Sequence, residues 1–83
     1  ARLDSIYAGR WDKWLPVPVK LPVKQFMEKD IEGNSHWFDI TKGQFIQGLI
    51  ARDKYEQRIY VVTITPEFDN AVHDRWPRIL SGV

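Results

Sequence analysis

The chain has 83 residues, with twelve Lys and Arg against eleven Asp and Glu, and no cysteine. That is the length of one domain, and the lack of thiols excludes disulfides, thiolate zinc sites and cysteine nucleophiles. The balanced charge lacks the basic excess of an electrostatic nucleic-acid binder, and no apolar run approaches the roughly 18 residues that a membrane-crossing helix needs.

Residues 3–15 carry Leu3, Ile6, Tyr7, Trp11, Trp14 and Leu15 at helical spacing, with Asp4, Arg10, Asp12 and Lys13 spread over the opposite side. The spacing predicts an N-terminal helix that must dock its apolar stripe, because so short a helix is marginal in water. Gly9 weakens it by roughly 1 kcal/mol relative to Ala.

From Leu15 to Lys24 the pattern changes to period two. Leu15, Val17, Val19, Leu21 and Val23 alternate with Pro16, Pro18, Lys20, Pro22 and Lys24. In an extended chain the three prolines delete donors from one edge, and the other edge keeps the donors of Val17, Val19, Leu21 and Val23. A strand of this kind pairs on one side only, so it is expected at a sheet edge or as a polyproline-like arm.

Residues 23–29 and 36–40 read as the two strands of a hairpin across the polar turn around Glu32-Gly33-Asn34. Thr41-Lys42-Gly43-Gln44 then fits a capping box, with Ile40 and Phe45 at the staple positions. Phe45, Ile46, Leu49 and Ile50 follow at i,i+4 spacing, which predicts a helix to about Arg52 despite Gly43 and Gly48.

Residues 57–65, rich in β-branched and aromatic side chains on both faces, predict a central strand covered on each side. Thr65-Pro66-Glu67 looks like a helix start. Phe68, Ala71, Val72 and Trp76 would form the buried stripe of this last helix, and Pro77 would end it.

The expected fold is therefore α+β: a small antiparallel or mixed sheet with a Pro-blocked edge strand, a hairpin and a central strand, plus an N-terminal helix and two further helices. The chain reads as one domain, 1–83, in which residues 1–24 form a helix-plus-strand docking arm and residues 25–83 the core.

Few residues suggest chemistry. Asp69 and His73, four apart on the last expected helix, could share a face as metal ligands, but a surface Asp–His pair is the commoner use of that spacing. Ser5, Ser35 and Ser81 lack a nucleophile-elbow context, and no glycine pair frames a phosphate loop. No catalytic, cofactor-binding or metal residue is therefore assigned, and the chain is not expected to be an enzyme.

Four Trp in so short a chain is the compositional oddity, since Trp is enriched at interfaces. The expected function is accordingly that of a non-enzymatic accessory subunit or regulator acting by protein–protein interaction or self-association. Tyr7, Trp11 and Trp14 would be the anchors, with Val17, Val19 and Leu21 pairing through their backbone. A nucleic-acid-binding module using Arg10, Lys13, Lys20, Lys24 and the aromatics is the alternative, although Asp12 beside Trp11 opposes a phosphate chain. No membrane contact is expected, and the cysteine-free composition suits a reducing cytoplasm.

Overall fold

A computed structural model describes residues 1–65 and 75–82. A short helix α1 (Leu3–Tyr7) and a 3-10 turn (Asp12–Trp14) precede eight strands: β1 (Val17–Leu21), β2 (Gln25–Lys29), β3 (Ser35–Asp39), β4 (Gln44–Arg52), β5 (Gln57–Val61), β6 (Thr63–Ile64), β7 (Trp76–Pro77) and β8 (Ile79–Ser81). The protein is mainly β, which overturns the α+β expectation with its three helices.

The N-terminal segment is helical for only five residues. Gly9 adopts a φ of 78°, its N–H donates to the Ile6 carbonyl at 3.1 Å, and the Arg10 N–H donates to the Ser5 carbonyl at 3.1 Å. Those two bonds with a left-handed glycine are the Schellman ending of a helix. Conformational freedom at Gly9 thus stops the helix before Trp11, and the apolar spacing continues only as the 3-10 turn.

The expected second helix is instead β4, the longest strand and the centre of the main sheet. Thr41 and Gln44 make a turn, with the Gln44 N–H donating to the Thr41 carbonyl at 2.9 Å and Gly43 at a φ of 89°, as a type II turn requires. Read with period two, Phe45, Leu49 and Ala51 lie on one face and Ile46, Gly48 and Ile50 on the other. A chain apolar on both faces suits a central strand at least as well as a helix, and sheet partners on both edges decide between them.

Antiparallel β1 lies along one edge of β4, with Val17 opposite Ile50, Val19 opposite Gly48 and Leu21 opposite Ile46. Pro18 has no N–H, so this ladder runs through the donors of Val17, Val19 and Leu21. Gly48 is required here: a Cβ on it would come within 2.9 Å of Leu21 Cγ and 3.0 Å of Val19 Cγ2.

The other edge of β4 is shared. β5 pairs with Gly48–Arg52, and β8 pairs with Gln44–Ile46. The two neighbours part at Gln47, whose N–H donates to the Arg78 carbonyl and whose carbonyl accepts from the Val62 N–H, each at 2.9 Å. The Arg78 N–H closes the triangle on the Val62 carbonyl at 2.9 Å, and Arg78 Nη1 donates to Gln47 Oε1 at 2.6 Å. Val62, with none of its surface exposed, plugs this junction.

Past it, β6 pairs with β7. Trp76 and Pro77 are therefore in a strand rather than at a helix end. The remainder of the expected last helix, including Phe68, Asp69, Ala71, Val72 and His73, lies outside the described residues. The strand expected to be central, β5, has β4 as its only strand neighbour among the described residues.

The hairpin β2–β3 forms a separate two-stranded sheet. Phe26 and Phe38 sit opposite each other across it. Their rings stack at 5.3 Å, and each meets the Trp76 ring edge-on at 5.0 Å. This aromatic trio connects the hairpin to β7; such pairs contribute about 0.5–1.5 kcal/mol each beyond area burial.

Gly48→Ala should destabilise the fold by about 1–3 kcal/mol, the usual range for overpacking, since the β-branched Val19 has little freedom to give way. Urea unfolding would check it; an unchanged midpoint would mean that β1 moves off β4 without loss.

Candidate functional site

The six residues expected to bind a partner do not converge. Trp11 and Trp14 line a cavity of about 280 Å³ with Ala51, Arg52, Glu56 and Tyr60. Tyr7 lies on a different cleft with Leu3, Asp4 and Ile64. Val17, Val19 and Leu21 stand on the opposite sheet face, because their cross-strand partners are Ile50, Gly48 and Ile46, whereas Tyr60 is opposite Leu49.

The Trp residues are unequal. Trp11 is half-buried and meets the Tyr60 ring edge-on, with centroids 5.0 Å apart. Trp14 lies at the rim, with Lys13 Nζ 4.8 Å from its ring centre. Between this region and β1 the chain turns through Leu15, which is exposed and holds a left-handed φ of 51°. Lys20 likewise places its ammonium 5.0 Å from the Phe45 ring. Two of the lysines considered for phosphate contact are thus engaged with aromatic rings of their own chain.

Beside the cavity, the turn joining β4 to β5 is organised by Asp53. Its Oδ1 accepts the N–H groups of Tyr55 and Glu56, each at 2.7 Å, and these bonds hold the carboxyl below its ordinary pKa. Glu56 Oε1 pairs with Arg58 Nη2 at 2.8 Å on the exposed surface.

Asp30 has the same task in the β2–β3 turn. Its Oδ1 accepts from the N–H groups of Glu32 and Asn34 at 2.9 Å, and its Oδ2 is 2.8 Å from His36 Nε2. The contact with His36, then the Asn34 amide, lower the Asp30 carboxyl to about 2. This carboxylate–imidazole pair is a turn-forming device. Among the described residues no three His, Asp or Glu side chains gather as a metal site, and the Asp69–His73 pair lies outside those residues.

Two apolar surfaces were not anticipated. On the outer face of the hairpin, Met27 stands opposite Trp37, and Trp37 is 66% exposed. On the main sheet, register places Val17, Ile50 and Ile59 in one row and Val19, Gly48 and Val61 in the next. Ile59 and Val61 in this face are 61% and 41% exposed. A cleft of about 420 Å³ lined by Phe26, Met27, Ile46, Val61 and Pro77 joins the two surfaces.

The edge of β5 beside that face is open in part. The Ala1 nitrogen donates to the Val61 carbonyl at 3.0 Å, and the Thr63 N–H donates to the Ala1 carbonyl at 2.8 Å. These bonds form a short parallel addition next to the Arg2–Thr63 bridge. The outward backbone groups of Gln57 and Ile59 find no hydrogen-bond partner among the described residues. The sequence signal for this edge was the alternation of Ile59 and Val61 with Arg58 and Tyr60, which was masked by the apolar character of the whole run.

Comparison with protein-family models, with curated proteins and with solved structures finds no match to this chain. No helix among the described residues is long and apolar enough to cross a membrane. The surfaces themselves therefore carry the functional reading.

Two measurements test the local assignments. A carboxyl NMR titration should place Asp30 near 2, and His36→Ala should move it up toward the ordinary carboxylate range. Because the folded value is depressed, the stability Asp30 contributes is fully present above its ordinary 3.8 and is lost as pH falls through about 2. In urea, Trp11→Ala should cost about 2 kcal/mol and Trp14→Ala less than about 1 kcal/mol, since only Trp11 has a ring partner on the sheet. Equal costs would remove the distinction between an internal and a rim tryptophan.

Proposed function

We propose that this chain is a non-catalytic binding protein, an accessory subunit or regulator that acts by contact with another protein surface. The observation that carries this reading is the distribution of apolar side chains. Among the described residues only Ile46, Leu49, Ala51 and Val62 are buried hydrophobics, while large ones from Tyr7 to Val61 stand exposed. Isolated exposed apolar residues are ordinary, but contiguous ones rimmed by polar groups mark association surfaces.

Here they are contiguous. Val17, Ile59 and Val61 share one sheet face, and Met27 and Trp37 share the outer face of the hairpin. A domain of this size buries a modest fraction of its unfolded surface, so covering that face on a partner adds stabilisation that its own core does not supply. Trp37 has the chemistry of an anchor, a large aromatic on a two-stranded support. Trp11 is better suited to holding the N-terminal segment against Tyr60 than to reaching a partner.

A photo-crosslinking amino acid placed at position 17, 37 or 59 in the source cells tests the reading. Discrete adducts, to another protein or to a second copy, are expected at those positions and not at the exposed turn residue Lys42. Absence of any adduct at all three apolar positions would overturn it.

A further inference from the structure

We infer that this chain pairs with a second copy of itself through the outer edge of β5, joining the two sheets across a two-fold axis at Gln57. The inference rests on the binding reading above and names the partner.

The β1 and β5 edges of the main sheet differ in what they offer. Along β1 the outward positions are Pro16, Pro18, Lys20 and Pro22, and only Lys20 has an N–H to give. That edge is closed to strand addition. Along β5, Arg58 and Tyr60 direct their backbone groups at β4, so the N–H and carbonyl groups of Gln57 and Ile59 point outward. These groups have no partner among the described residues. Gln57 is exposed, as is the β-branched Ile59, so the edge is also accessible.

Charge selects the occupant and its register. An antiparallel copy centred on Ile59 would bring Gln57 of the second copy against Val61, whose carbonyl already holds the Ala1 nitrogen. Centring on Arg58 would set two guanidiniums side by side, and centring on Glu56 two carboxylates; like charges directly opposite are destabilising. Centring on Gln57 avoids all three. Each Arg58 then faces Glu56 of the other copy, and the one Glu56–Arg58 surface pair of each chain joins its counterpart in a ring of four alternating charges. Each Ile59 comes beside Tyr55 of the other copy, a residue 86% exposed, whose carbonyl can accept the Ile59 N–H while its own N–H stays on Asp53 Oδ1.

The result is self-limiting. The joined sheet would run β1-β4-β5 and back through β5-β4-β1 of the second copy, and because the two-fold contact uses the β5 edge of both copies it closes as a dimer rather than propagating as a fibre. A five-residue strand spans only about 17 Å, which makes the contact small, and the dimer should depend on concentration.

Sedimentation velocity of the intact chain over a concentration series tests this. The wild type should pass from monomer to dimer and form nothing larger. Gln57→Lys, which sets two ammoniums at the axis, should weaken the dimer by at least about tenfold at low salt, with unchanged circular dichroism. Arg58→Glu should weaken it as well, and the swap Glu56→Arg with Arg58→Glu should restore it, a rescue that a merely local effect on folding would not produce.

A wild type that stays monomeric, or a dimer indifferent to Gln57→Lys, overturns the inference. Crosslinks from position 59 to a different protein, in a chain that sediments as a monomer, would overturn the self-pairing and leave the binding reading standing. A monomer with no adducts at all would remove both.

Discussion

The backbone ladder on β4 is the interaction on which the rest of the molecule depends. β1 takes one of its edges, while β5 and β8 divide the other between them at Gln47. Its two faces carry most of the buried positions among the described residues, Ile46 and Gly48 on one side and Leu49 and Ala51 on the other. With so small a core, hydrogen-bonded strand edges and close packing over Gly48 have to hold what a larger domain would hold by burial alone. The junction at Val62 is where this is most evident, since three chain segments share a triangle of backbone bonds around one fully buried side chain.

Among the described residues, aromatic and backbone contacts attach the other elements to that sheet and its neighbours. The hairpin reaches it by the Phe26–Phe38–Trp76 trio, and the N-terminal segment by Trp11 against Tyr60 and by Ala1 along the edge at Val61 and Thr63. Asp30 and Asp53 organise the two hairpin turns in the same way, each with one carboxylate oxygen accepting two turn amides. Turn amides that would otherwise compete for solvent are thereby satisfied. The depressed pKa values of these two carboxylates thus arise from the turn contacts they accept.

The contrast between the two sheet edges connects architecture to function. Proline on β1 removes the donors that a stray strand would seek, whereas β5 keeps its donors at Gln57 and Ile59 and surrounds them with exposed apolar groups. Aggregation through an edge is normally suppressed by charge, bulges or proline, and of these two edges β1 carries the proline. An accessible edge continuous with an apolar face has the chemistry of an association surface, and the hairpin bearing Trp37 offers a second.

Where a feature depended on the covalent limits of single residues, it could be read in advance. Missing donors at Pro16, Pro18 and Pro22 limit the segment to an edge strand or a polyproline-like arm, and the polar turn of residues 30–34 between two apolar runs makes a hairpin. The segment 44–52 could not be read in this way. Its Phe45, Ile46, Leu49 and Ile50 satisfy a helical period and a strand period at once, and the decision came from neighbours far along the chain at Val17–Leu21, Gln57–Val61 and Ile79–Ser81. The same distance effect scattered the expected binding residues, since Trp11 and Val17, six apart in sequence, end on opposite faces of one sheet. The sequence by itself determined that this chain has no disulfide or thiolate site and that one edge of its 15–24 segment, if extended, would lack donors. Only tertiary pairing decided which strand is central, which edge is open and which aromatics face solvent, because hydrogen-bond partners and burial are properties of the assembled chain.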